Sequence, residues 1–78
     1  MRKLPYLAIN DEGFIFDPTS GDSFQVSQTG LQILNGMKAG KADGEIAQAL
    51  AEKFEVSLED AQRDVADFRA SLKNLNLV

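Results

Sequence analysis

The chain has no cysteine and no histidine. Neither a disulfide nor a thiolate metal site can therefore stiffen it, and the commonest general base and metal ligand is missing. No apolar run approaches the roughly 20 residues that cross a bilayer. Met1-Arg2-Lys3 is followed by Leu4-Pro5-Tyr6, where a secretory signal would carry its apolar core. These absences point to a soluble, cytoplasmic protein. An excess of positive charge is missing as well: 8 Lys and Arg stand against 12 Asp and Glu, a formal net charge of -4. Non-specific nucleic-acid affinity rests on basic clusters that release counterions, so nucleic acid is a poor fit.

What remains is 78 residues, of which 44% are hydrophobic, with Phe as the chief aromatic. That composition is too apolar for a disordered tail, and the length suits a single domain over residues 1–78 stabilised by packing alone. The stretch from Phe14 to Leu34 organises it, running strand, tight turn, strand and helix. Phe14 and Phe16 alternate with Ile15, and Phe24 and Val26 alternate with Ser23 and Gln25, so each run puts one apolar set on a single face. Between them lies the turn Asp17-Pro18-Thr19-Ser20-Gly21. Pro18 pre-sets its own φ, Asp17 accepts from the turn amides, and Gly21 takes the left-handed conformation that closes the reversal. Ser27 then caps a helix that buries Leu31, Ile33, Leu34 and Met37.

A run from Tyr6 to Asn10 pairs with Phe14 to Phe16 across Asn10-Asp11-Glu12-Gly13, where Gly13 tolerates positive φ. Sequential hairpins make a three-stranded antiparallel meander with the Ser23 to Val26 strand on an outside edge. An open edge is a row of unpaired donors and acceptors, and function is sought there. Met1 to Pro5 are expected to be frayed. The first helix should stop between Gly36 and Gly40, and a second should begin with Asp43 as its cap, burying Ile46, Leu50 and Phe54. Ser57 opens a third, whose apolar stripe is Leu58, Ala61, Val65, Phe68, Leu72 and Leu75. Leu77 and Val78 should tuck against the core or the sheet.

Catalytic chemistry is hard to find in this pattern. Asp17 with Asp22 reads as turn chemistry in preference to a metal site. Glu59-Asp60 and Asp64 with Asp67 could mimic an acid/base pair, but on a charged helix face they read as plain solvation. The run Gly36-Met37-Lys38-Ala39-Gly40-Lys41 lacks the Gly-Lys-Ser/Thr ending and the preceding strand of a phosphate loop. No enzyme, metal or cofactor is expected.

Phe24-Gln25-Val26-Ser27 leading to Gly30-Leu31-Gln32-Ile33-Leu34, then Glu45-Ile46-Ala47 with Leu50, then Asp64-Val65 with Phe68, Leu72 and Leu75-Asn76-Leu77-Val78, together resemble the PqqD-like family. Its members are also called peptide recognition elements, or peptide chaperones, of ribosomally synthesised, modified peptides. The resemblance spans Tyr6 to Val78 and implies a winged-helix-like α+β domain. It further implies binding of a precursor's leader segment as an added strand, held for a partner modifying enzyme, commonly a radical S-adenosylmethionine enzyme. Ser27, Leu34, Ala42 and Asn76 depart from residues common in the family, which favours a relative serving a peptide other than the quinone cofactor precursor.

On this reading Ser23, Phe24, Gln25 and Val26 pair with the peptide backbone, and the groove between the third strand and third helix takes alternate side chains. Phe68 belongs mainly to the core at that groove. Asp64, Asp67 and Ser71 form a polar shoulder with Arg63 beside them, reading a basic residue of the leader. Two other classes compete. A winged-helix DNA-binding regulator needs a basic recognition helix, whereas the second helix carries Asp43, Glu45 and Glu52 against Lys53. A structural docking module would engage a larger protein through Phe68 or Tyr6 without any peptide strand.

Overall fold

A computed structural model of the chain describes residues 4–75 and 77. Three short strands come first, β1 (Ala8–Ile9), β2 (Phe14–Phe16) and β3 (Ser23–Gln25), followed by three helices, α1 (Gln28–Lys38), α2 (Asp43–Phe54) and α3 (Leu58–Asn74). The strands form one antiparallel sheet in the order β1-β2-β3. The expected α+β meander followed by three helices is therefore the observed architecture.

Each reversal is built by the side chains that precede it. Asn10 Oδ1 accepts from the amides of Glu12 and Phe14, both at 3.0 Å, and closes the first turn. Gly13 sits there at φ 92°, where a Cβ would lie 2.5 Å from the backbone oxygen of Val26. In the second turn Asp17 is buried, and its Oδ1 accepts from the amide of Thr19 at 2.9 Å and from its hydroxyl at 2.6 Å. Gly21 adopts φ 81° and donates its amide to Asp17 O at 2.8 Å.

Register decides which aromatic set is inside. Ile15 stands opposite both Ile9 and Phe24, and these three share the inner face. Ile15 is 2% exposed, while Phe14 and Phe16 on the outer face are 49% and 46% exposed. β1 is shorter than Tyr6 to Asn10. Pro5 has no amide to give to a ladder, and Leu4–Tyr6 instead form a 3-10 turn closed by Leu7 N donating to Leu4 O at 3.3 Å. Tyr6 is left exposed and Leu7 is driven into the core. Leu4 and Pro5 are consequently not frayed, since Leu4 N donates to Leu77 O at 3.1 Å. The expectation for Met1, Arg2 and Lys3 lies outside the described residues.

Ser27 and Ser57 cap α1 and α3, their hydroxyls accepting from Gly30 N and Asp60 N, both at 3.1 Å. α1 runs through Gly36 because Ile46 of α2 packs on that position, where a Cβ would meet Ile46 Cγ1 at 2.8 Å. Asp43 does not cap α2. Ala42 occupies that place, and the Asp43 carboxylate is drawn into a two-point pair with the Arg69 guanidinium of α3. The core joins Leu31, Ile33, Leu34 and Met37 of α1 with Ile46, Ala47 and Leu50 of α2 and Ala61, Val65 and Leu72 of α3. Phe54 is only half-buried at its edge.

The α3 stripe does not reach the helix ends, as Leu58 and Leu75 are 48% and 50% exposed. Leu77 takes the place Leu75 would have filled: its amide returns to Leu72 O at 2.9 Å and its side chain is buried. Asn76 and Val78 lie outside the described residues. Among the described residues no helix is long and apolar enough to cross a membrane.

The approach of Gly13 to Val26 predicts unequal costs for the two turn glycines. Gly13→Ala should lose about 2 to 3 kcal/mol, since strain at positive φ is joined by displacement of a backbone oxygen. Gly21 has nothing within 4 Å of its Cβ position, so Gly21→Ala should cost only about 1 to 2 kcal/mol, the left-handed penalty alone. Urea denaturation of both variants tests this, and equal losses would refute it.

Candidate functional site

The two ladders fix which way each backbone group of the sheet points. Asp17 N donates to Asp22 O at 2.8 Å and Val26 N to Gly13 O at 2.9 Å, so residues 22, 24 and 26 turn their polar groups toward β2. The N–H and C=O groups of Ser23 and Gln25 therefore point away from β2. Among the described residues no further strand of the sheet lies beyond them. The opposite edge is less available: β1 has two residues, and the Lys38 ammonium donates to Leu7 O there at 2.7 Å.

Just past the C-terminal end of β3 lies a groove of about 380 Å3, walled by the start of α1 and one flank of α3. The sequence suggested β3 and α3 as its walls, but α1 follows β3 after only two residues and takes that side. Ser27, Thr29, Gly30 and Ile33 line its first side, and Asp64, Asp67, Phe68 and Ser71 line the second. The two sides touch at Gly30. A Cβ there would fall 2.9 Å from Phe68 Cε1 and 3.3 Å from Val26 Cβ, so the bare backbone is what lets the ring settle against the end of β3. Phe68 is half-buried, with one part packed against the core and the rest lining the groove.

Sequence-expected residues fall into three positions. Ser23 and Gln25 supply the outward backbone groups, while their side chains share the outer face of the sheet with Phe14 and Phe16. Phe24 is half-buried on the inner face, and Val26 reaches Gly30 at the mouth of the groove. Asp64, Asp67, Phe68 and Ser71 converge on the groove as the helical spacing implies. Ser71 Oγ donates to Asp67 O at 3.2 Å. Both carboxylates are exposed, and neither has an ionic partner among the described residues.

Arg63 does not join them. Its guanidinium lies 4.0 Å from Glu59 and 3.7 Å from Asp60, and the groove lining does not include it. Helical side chains lean toward the helix N-terminus, which takes Arg63 back to the acidic first turn. Sequence reasoning also passed over Thr29 and Gly30 as site residues. The available signal was Gly30 itself, a glycine in the first turn of a helix where no reversal requires one.

Fold and site together define a small α+β domain whose β3 edge is unpaired among the described residues, beside a groove flanked by two carboxylates. The chain belongs to the PqqD family, since the family described as Coenzyme PQQ synthesis protein D (PqqD) matches residues 12–78. Among solved structures it is similar to a lasso peptide synthetase B1 complexed with the leader peptide, at 33% identity and a TM-score of 0.74. That match covers 87% of this chain and 81% of the other. It is also similar to TbiB1 in complex with the TbiA(beta) leader peptide, at 29% identity and a TM-score of 0.78, over 91% of this chain and 84% of that one. Comparison with curated proteins gives no match. The PqqD-like resemblance read from the sequence is thus borne out.

The contact at Gly30 predicts a coupled pair. Phe68→Ala should cost about 2 kcal/mol, below the roughly 3 to 5 of a fully buried ring. Gly30→Ala should destabilise the parent yet be tolerated in Phe68→Ala, a coupling of about 1 kcal/mol or more in a double-mutant cycle. Strict additivity in urea denaturation would show that the ring does not press on Gly30.

Proposed function

We propose that this chain binds the leader segment of a precursor peptide as an antiparallel or parallel strand added to β3, and holds it for a partner modifying enzyme. The observation that carries the proposal is the pair of outward-facing residues Ser23 and Gln25 on an open edge beside the groove. Two donors and two acceptors are on offer. Each backbone bond to them contributes about 0.5 to 1.5 kcal/mol net, which binds many sequences. Selection then rests on side chains. Alternate residues of an added strand enter the groove, where Phe68, Ile33 and Gly30 offer an apolar floor and Asp64 and Asp67 favour a basic residue at its rim.

The leader peptides in the two similar structures support this reading. A role in binding without catalysis is further supported by the absence of histidine and cysteine from the sequence. The partner enzyme acts on the part of the precursor left outside the groove. A radical S-adenosylmethionine enzyme is one candidate for this partner.

Gln25→Pro tests the strand directly. The N–H of Gln25 makes no ladder bond, so proline there should leave stability within about 1 kcal/mol of the parent. Its ring stands where the peptide carbonyl must dock, and loss of the donor plus an unsatisfied acceptor should weaken leader binding by about 30-fold. Calorimetry with a leader peptide that the parent chain binds gives the answer, and parent-like affinity in a folded Gln25→Pro variant excludes strand addition at β3.

A second measurement addresses selection. Changing Asp64→Asn and Asp67→Asn together should weaken binding of a leader containing Lys or Arg by about three- to tenfold at low ionic strength. The difference should nearly vanish near 1 M salt, where the Debye length is about 3 Å. A salt response identical to the parent's would remove the carboxylates from recognition.

A further inference from the structure

The chain is acidic overall, yet four of its 8 cationic residues line one open pocket of about 490 Å3. Lys38 and Lys41 come from the end of α1, and Arg69 and Lys73 from α3, over a floor that includes Leu4 and Met37. Two of the four are held in place by neighbours: Lys38 donates to Leu7 O, and Arg69 pairs with Asp43. Lys41 and Lys73 are exposed, with no acidic partner among the described residues. Asp43 thus answers only one of the four charges.

The pocket is separate from the groove beside β3, and no residue lines both. At about 100° per residue, Arg69 and Lys73 fall on one flank of α3, and Asp64, Asp67 and Ser71 fall on the opposite flank. The buried stripe of Ala61, Val65 and Leu72 runs between them. α3 is therefore divided by charge, with its acidic flank at the groove and its basic flank at the pocket.

We propose that this basic pocket docks a carboxylate-bearing segment of a partner protein, one that carries an apolar side chain between its acidic residues. The chemistry favours such a segment over a phosphate. Phosphate sites are cradled by backbone amides at helix N-termini. Here the wall is the C-terminal end of α1, and the amides of Ala39, Gly40 and Lys41 are already bonded to Asn35 O, Met37 O and Gly36 O. What the pocket offers is long cationic side chains above aliphatic surface. That combination holds carboxylates at the rim while an apolar residue covers Leu4 and Met37. A basic leader in the groove and an acidic partner segment in the pocket would not compete. The pocket is independent of strand addition at β3 and stands or falls on its own measurement.

An acetylated peptide of sequence Glu-Leu-Glu-Glu-Leu-Glu serves as the probe, titrated into isotope-labelled protein and followed by amide chemical shifts. Shifts are expected at residues 37–41 and 69–73, with affinity falling about tenfold when Gln replaces every Glu of the probe. A Lys41→Glu, Lys73→Glu variant should weaken the probe by about tenfold or more while changing leader affinity less than about twofold, since both side chains are exposed and remote from β3. Equal binding of the Gln probe, shifts confined to the β3 groove, or no shift at millimolar probe would each overturn the proposal. So would inorganic phosphate that shifts the same amides at lower concentration than the probe, which would make this a phosphate pocket.

Discussion

The structure depends on the change of backbone from strand to helix at Val26 and Ser27, between β3 and α1. Val26 N makes the last ladder bond to Gly13 O, and Ser27 Oγ accepts from Gly30 N to start α1 in the next turn. The handover leaves no room for a loop that could cover the edge of β3. It also fixes Gly30 directly beneath Phe68, so the sheet, α1 and α3 meet at one point. Gly13 and Gly30 make this possible at the C-terminal end of β3, where both close on Val26. At each of them a single methyl group would enter an occupied space, against the Val26 carbonyl in one case and the Phe68 ring in the other.

Because sheet and helices are locked there, the groove has a rigid floor and a polar rim. On the proposed reading, β3 would supply backbone groups open to almost any extended peptide, and α3 would supply the side chains that discriminate. The same helix carries opposite charge on its two flanks. Asp64 and Asp67 stand at the groove, and Arg69 and Lys73 stand at the pocket across the core stripe. In a domain without cysteine or histidine, this separation of charge around one helix is the main chemical asymmetry available for engaging two different partners.

Much of this was legible without coordinates because it is local. The Asp17 turn, the caps at Ser27 and Ser57, and the spacing of Asp64, Asp67 and Ser71 all involve residues within a few positions of one another, and the sequence states those separations directly. The open edge followed from the order of short hairpins. The extent of β1 was misjudged because a proline one residue before an apolar run reads as a strand lead-in, while Leu7 had a core position to fill. Arg63 was misplaced because spacing gives the angle of a helical residue but not which neighbouring charge its long side chain follows.

What the sequence determined by itself was therefore the element order, the serine caps of α1 and α3, the middle of the α3 stripe and the family. What only the tertiary structure decided was the set of contacts between residues far apart in the chain. Register chose Ile15 over Phe14 and Phe16 for the inner face, although periodicity allowed either set. Arg69 claimed Asp43 from the cap of α2, across 26 residues. Lys38 closed over Leu7 O across 31, beginning the basic pocket that no local motif announced. The physical reason is common to all three. Turn and cap energies are set by neighbours in sequence, whereas side choice and charge pairing depend on which surfaces the folded core brings within a few ångströms.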